Sequence, residues 1–152
     1  MSNKVKRLQA EIMSVRNQRH KLLFIKLEKS NRMNDVLTDL KREDISSINI
    51  SRYLSDQLRF ISSDKRPFQV VKWLRKVIAE QNNDVIFLHN IEYLFDHELK
   101  QNPVKLMEAL SGNTVLLILW PGEEEQGVLK YATPEHSEYY QNDEYSNRIF
   151  VY

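Results

Sequence analysis

Apolar residues along this chain recur in two rhythms, one of helical spacing and one of short unbroken runs. Val5, Leu8, Ile12 and Val15 stand at helical spacing with basic residues between them, which predicts an amphipathic opening helix within residues 1–20. Leu22 to Leu27 is a compact apolar run, a first strand. Met33, Val36, Leu37 and Leu40 then recur at i, i+3, i+4 and i+7, one apolar helix face. Ile45 to Ile50, interrupted by two serines, predicts a second strand. Ser51 is suited to cap a helix carrying Leu54, Leu58 and Ile61. Pro67 suits a first helical position, ahead of Val70, Leu74, Val77 and Ile78.

The second half repeats the alternation more strongly. Val85-Ile86-Phe87-Leu88 follows the turn-forming Asn82-Asn83-Asp84. Its hydrophobicity is continuous rather than alternating, as expected of a strand covered on both faces in a parallel sheet. Asn102-Pro103 marks a helix start, Val104, Leu106, Met107 and Leu110 line that helix, and Gly112 falls where a C-terminal glycine belongs. Thr114 to Trp120 is a second buried strand, and Arg148 to Tyr152 a last one. Residues 121–147 hold Pro121, Gly122, Gly127, Pro134, three consecutive glutamates and four tyrosines. They predict a long irregular loop over the sheet end, with at most a short hairpin, and a loop of that length invites a functional role.

Strand–helix alternation with continuous apolar strands predicts one α/β domain over residues 1–152, with three layers and a mainly parallel sheet of about five strands. In such sheets ligands settle beyond the carboxyl ends of the strands, where strand order reverses. The ends to inspect are therefore Leu27–Ser30, His89–Glu92 and Trp120–Gly122.

At the first of these ends a nucleotide-binding domain would carry a glycine-rich phosphate loop. Glycines there let successive backbone N–H groups curl around the phosphates with no Cβ in the way. Here the connection holds none, and the whole chain has only Gly112, Gly122 and Gly127. A Lys29-Ser30 pair survives as a vestigial cofactor-binding element, but Glu28 stands where the second glycine of such a loop belongs. A carboxylate in that place would repel a phosphate.

Composition narrows the remaining classes. The 22 basic and 21 acidic residues nearly cancel, so no global charge draws the chain to nucleic acid. The distribution is uneven: residues 1–30 carry eight basic residues against Glu11 and Glu28, and residues 121–152 carry seven acidic residues against Lys130 and Arg148. Such a basic front and acidic back describe either an electrostatic partner surface or two solvated faces. The absence of cysteine excludes a disulfide framework, a thiol nucleophile and a zinc knuckle. No apolar run approaches a bilayer span and the charged start lacks a signal-peptide core, so a cytoplasmic protein without membrane contact is expected.

Candidate chemistry concentrates at the later strand ends. His89-Asn90-Ile91-Glu92 follows four apolar residues in the manner of a Walker B strand, with His89 at the position of the magnesium-holding Asp. A neutral imidazole is a poor magnesium ligand, and a structural histidine is the simpler reading. Glu92 could polarise a water, given something to attack. His20, His89, His97 and His136 share no metal-ligand spacing, and no G-x-S-x-G elbow exists. Tyr131, Tyr139, Tyr140 and Tyr145 near His136 could stack on a base, face a protein or simply pack. The basic opening helix, with Arg16 and Arg19, could meet a phosphate backbone or be an ordinary solvated face.

Leu88-His89-Asn90-Ile91-Glu92-Tyr93-Leu94-Phe95-Asp96, Trp120-Pro121-Gly122 and the run from Leu129 to Tyr139, LKYATPEHSEY, resemble one small family. They are similar to the BrxF family, the small P-loop-containing component of type 3 BREX, a bacterial phage-exclusion system. The resemblance spans about residues 20–152, is strongest over 85–139, and lies only in pattern in the first half. It implies a three-layer P-loop NTPase-like domain. It also implies BREX partners: a large ATPase, a DNA adenine methyltransferase, a phosphatase-like protein and a helicase. Family members carry a phosphate loop and an acidic Walker B residue, and this chain departs from both, at Glu28–Asn34 and at His89.

The expectation is a non-hydrolysing subunit that binds other proteins, has no cofactor or metal, and uses Trp120, Tyr131, His136, Glu138 and Tyr139 as its interaction surface. The rival expectations are ATP and magnesium bound by an unorthodox loop using Lys26 or Lys29 with Glu92 as base, and a DNA-binding accessory. Oligomeric state is left open.

Overall fold

The computed structural model describes residues 3–28 and 32–152. Among them lie five α-helices, α1 (Asn3–Val15), α2 (Met33–Arg42), α3 (Ile50–Leu58), α4 (Val70–Glu80) and α5 (Pro103–Ser111). Five strands, β1 (Leu22–Lys26), β2 (Ser46–Asn49), β3 (Val85–His89), β4 (Val115–Leu119) and β8 (Ile149–Val151), form one sheet in the order β2-β3-β4-β1-β8. Every pairing in it is parallel, with Leu22 opposite Leu116, Ile86 opposite both Ser46 and Leu116, and Phe24 opposite Ile149.

The sheet is covered on both faces, which is why β3 and β4 are apolar without interruption. Leu22, Phe24, Ile86, Leu88, Leu116 and Ile118 turn toward α3, α4 and α5. Leu23, Ile25, Val85, Phe87, Val115 and Leu117 turn toward α1 and α2. The alternation follows from the two-residue period of a strand. Burying each such side chain contributes about 1.5–3 kcal/mol, so the two helix layers account for most of the cohesion.

Four boundaries differ from the expectation drawn from sequence. The opening helix stops at Val15, because residues 16–20 supply no further apolar residue to hold it on the sheet. Ser51 does not cap α3; the Asn49 side chain does, accepting from Arg52 N at 3.1 Å. Ser51 Oγ instead accepts from Tyr93 N at 3.0 Å, tying α3 to the turn after β3. Pro67 opens a 3-10 turn, Arg66–Phe68, and α4 begins three residues later, at Val70.

The fourth correction concerns residues 121–147. The expected short hairpin is there, but it gains a third strand, so that within this connection β5 (Glu123–Glu125), β6 (Val128–Tyr131) and β7 (Tyr140–Asn142) form a second, antiparallel sheet in the order β5-β6-β7. Strands of three and four residues with glutamates in them carry no alternation long enough to see in sequence. The first hairpin turns at Gln126-Gly127, both at positive φ, and the glutamate Oε2 of Glu124 accepts from Gly127 N at 3.0 Å. No described helix is long and apolar enough to cross a membrane.

Candidate functional site

Beyond the carboxyl ends of β1, β3 and β4 lies a cleft of about 530 Å³. Its walls are Lys26 and Leu27 at the end of β1, Asn90 and Glu92 after β3, Leu119 to Gly122 at the end of β4, and Glu123 and Tyr131 from the small sheet. Chain topology explains the position. From β1 the chain leaves toward α2 on one face, whereas from β3 it leaves toward α5 on the other, so the loops part and a crevice opens between them. A larger hollow of about 810 Å³ opens at the opposite, amino-terminal ends, against Asn82, Asn83 and Asp84. It is wide and polar, and Asp84 there is already ion-paired with Arg16 at 2.9 Å.

The end of β3 is held by a chain of hydrogen bonds. His89 is buried, shares its face with Val85 and Phe87, and stacks on the Phe87 ring at 5.6 Å and 20°. Its Nδ1 donates to Asn90 Oδ1 at 2.6 Å. Asn90 takes the left-handed conformation, φ 52°, which asparagine tolerates better than most residues. That turn points the Asn90 carbonyl at α3, where it accepts from Ser51 N at 2.8 Å, and buries Ile91 while leaving Glu92 exposed beside the cleft. The imidazole is thus packed on Phe87 and bonded to the turn residue Asn90.

Among the described residues that line the cleft, carboxylates outnumber cations, Glu92 and Glu123 against Lys26. Lys26 Nζ lies 3.6 Å from Glu123 Oε2, so the cation nearest the end of β1 is turned toward a carboxylate of β5. Glu92 stands across from them. Glu28 is exposed, with its backbone N–H bound to the Tyr152 carbonyl at 2.9 Å. Lys29 and Ser30, the vestigial phosphate-loop residues, lie outside the described residues. Among the described residues no group of three or more His, Asp or Glu side chains is placed to hold a metal ion.

One wall of the cleft is aromatic. Trp120 is only 5 % exposed, and its indole Nε1 donates to the Lys130 carbonyl at 2.9 Å, joining β4 to β6. It meets Phe24 and Phe95 edge to face at 5.9 and 5.5 Å. Phe95 in turn stacks on Tyr131 at 4.0 Å and 20°, and meets Tyr140 at 5.6 Å. Gly122 lets β6 come this close, since a Cβ there would fall inside contact distance of the Lys130 backbone. Burial pushes the Tyr131 phenol up, helped by the Glu138 and Glu92 carboxylates.

The residues grouped in sequence as an interaction surface thus divide. Trp120 belongs to the core with its edge on the cleft wall, and Tyr131 is half-buried, stacked on Phe95 and lining the cleft. His136, Glu138 and Tyr139 lie further out, on the connection between β6 and β7. His136 Nδ1 accepts from Glu138 N at 3.0 Å, and the Tyr139 hydroxyl donates to Gln141 Oε1 at 2.7 Å. Glu138 and Tyr139 border a separate hollow of about 240 Å³ with Phe95, His97 and Lys100. His97 closes that hollow by contacting the Ser137 carbonyl. Sequence reasoning passed over Phe95, the ring at the centre of the cluster, because in sequence it is one more apolar residue. The Trp-Pro-Gly run was the available signal that two pieces of backbone meet there.

Fold and site together define an α/β protein with a parallel five-stranded sheet, a cleft at its carboxyl end and a small antiparallel sheet closing one wall. No family model, no curated protein and no solved structure matches the chain.

Proposed function

We propose that this protein is a non-hydrolysing, P-loop-derived subunit of a bacterial phage-exclusion assembly of the BREX kind, acting by binding partner proteins. The observation that carries the reading is the charge of the cleft. The described side chains that line it offer one cation, Lys26, already drawn to Glu123, and two carboxylates, Glu92 and Glu123. A polyphosphate brought there would face net negative charge where a working site supplies cations and oriented N–H groups. With His89 buried against Phe87, the strand end supplies packing where a metal-holding carboxylate would otherwise stand. The resemblance over residues 85–139 supplies the assembly, and the outer face around His136, Glu138 and Tyr139 supplies a surface of mixed polar and aromatic character suited to a protein.

Co-purification from a host expressing the whole system tests the proposal. The tagged chain is expected to bring down at least one other component, and Glu138→Lys with Tyr139→Ala to release it while the melting temperature stays put. A chain that remains free of every component overturns the reading. The cleft's volume keeps nucleotide binding as a second reading, and thermal shift separates the two. A retained site would stabilise the fold by about 2.7 kcal/mol at a hundredfold excess of ligand over Kd. No shift is expected with millimolar Mg-ATP or ADP; a shift abolished by Lys26→Ala or Lys29→Ala would establish nucleotide binding instead.

A further inference from the structure

Two large apolar side chains are left almost wholly in water, Phe60 at 88 % and Phe68 at 82 % exposure. Both lie on the connection between α3 and α4, and neither ring serves the core. The segment that carries them is well anchored. Arg66 Nε donates to the Ile61 carbonyl at 2.8 Å, Arg66 pairs with Glu98 at 2.6 Å, and Gln101 Nε2 donates to the Pro67 carbonyl at 3.1 Å. The two rings are thus held out in solvent by an anchored segment, not by a frayed one.

The charge around these rings is one-sided. Besides Arg66, which is paired with Glu98, residues 59–76 contain five basic residues, Arg59, Lys65, Lys72, Arg75 and Lys76, against Asp64 alone, in a chain whose overall charge is near zero. The cations are set against the rings. The Arg59 guanidinium lies 4.6 Å from the Phe60 centroid, and the Lys72 and Lys76 ammonium groups lie 5.3 and 5.1 Å from that of Trp73. Phe68, Lys72 and Arg75, all exposed, follow one another at i, i+4 and i+7 through the 3-10 turn into α4, along one side of the helix.

We infer that the α3–α4 connection and the outer side of α4 bind single-stranded DNA. Ring faces receive bases by stacking, which needs no particular sequence, and the flanking cations receive phosphates. A duplex hides its base faces and could use only the cations. An anionic bilayer fits less well, because Ser62, Ser63 and Asp64 stand between the two rings and would enter the headgroup layer with them. The surface is separate from the basic opening helix and from Arg16 beyond it, which is ion-paired with Asp84. The inference stands independently of the protein-partner reading, since it uses none of the cleft or the β6–β7 face.

Fluorescence anisotropy of the full chain with a labelled oligothymidylate of about 20 nucleotides tests it. Binding is expected at low salt, falling on a log–log plot with a slope of about −0.7 per neutralised phosphate. Phe60→Ala with Phe68→Ala should weaken it roughly tenfold or more without moving the melting temperature, because those rings bury almost nothing. Lys72→Gln with Arg75→Gln should flatten the salt slope. No binding by the unaltered chain overturns the inference, as does equal affinity of the ring variant, or tighter binding of a duplex or of an RNA of the same length. Loss of anionic-vesicle binding or of self-association in the ring variant, with DNA binding unchanged, would reassign the patch to a membrane or to a second copy.

Discussion

Single positions in this protein do work that their residue type alone does not announce. Gly122 has an ordinary φ, so its role is not conformational; it is the absence of a Cβ against the Lys130 carbonyl. That carbonyl also receives the Trp120 indole, so one small residue sets how closely β4 and β6 approach. Gly122→Ala must push backbone, not a flexible side-chain tip, and should cost about 1–3 kcal/mol. Urea unfolding checks the cost, and a red-shifted tryptophan emission would report that the indole has lost its buried contact. An unchanged unfolding midpoint would mean that β6 gives way freely. His89 makes the complementary point. At a strand end, where a ligand could settle, the simpler expectation is a structural histidine, and its neighbours Phe87 and Asn90 give it a ring to pack on and a hydrogen-bond partner.

At the scale of elements, the small antiparallel sheet is fastened to the large one through rings. Phe95, on the 3-10 turn Glu92–Phe95 after β3, touches Trp120, Tyr131 and Tyr140, so β4, β6 and β7 all converge on one side chain. A three-stranded sheet of such short strands has little stability of its own and depends on this packing. Tyr131 and Tyr139 lie eight positions apart in one sequence run and are both partly buried, but Tyr131 packs on the core through Phe95 while Tyr139 bonds Gln141, and their substitutions should separate. Tyr131→Ala removes a stacked ring and should lower stability by about 2 kcal/mol or more, read as a fall in melting temperature. Tyr139→Ala, which loses a bond to Gln141 on the surface, should scarcely move it. Equal falls for the two would show that the β6–β7 connection packs as deeply as the sheet. The same fastening sets the layout of the 121–147 region: Gly122, Glu123 and Tyr131 line the cleft, and His136 to Tyr139 lie on the connection outside it.

Across the whole molecule, the chain end is locked by tyrosines whose protons the folded state holds. Tyr152 donates to Asp39 Oδ2 at 2.9 Å, joining the end of the chain to α2, and Tyr145 donates to Glu108 on α5. Burial and the hydrogen bond to Asp39 push the Tyr152 phenol up to about 12, and burial with the Glu108 contact pushes Tyr145 up further. These pKa values are raised on folding, so their stabilisation is complete below about pH 10, where the unfolded chain's tyrosines titrate. It is lost as pH rises from there through the folded values. The urea midpoint should therefore fall between pH 9 and pH 11, and Tyr152→Phe should lower stability at pH 8 while reducing that fall. A midpoint independent of pH over this range would show that the phenols are not held protonated.

The sequence by itself determined the layered α/β core. Continuous runs such as Val85–Leu88 and Val115–Leu119 can be satisfied only between two helix layers, and the helix faces at Val36/Leu40 and Leu54/Leu58 have the spacing to cover them. The α5 cap at Asn102-Pro103 was equally legible, because capping is local chemistry between neighbours in the chain. The tertiary structure decided everything that rests on contacts between distant residues. It placed β1 between β4 and β8, paired Lys26 with Glu123, folded residues 121–147 into a sheet around Phe95, and left Phe60 and Phe68 outside while drawing Trp120 in. Hydrophobic periodicity says which face of an element is apolar; only packing against the rest of the chain says whether that face is covered.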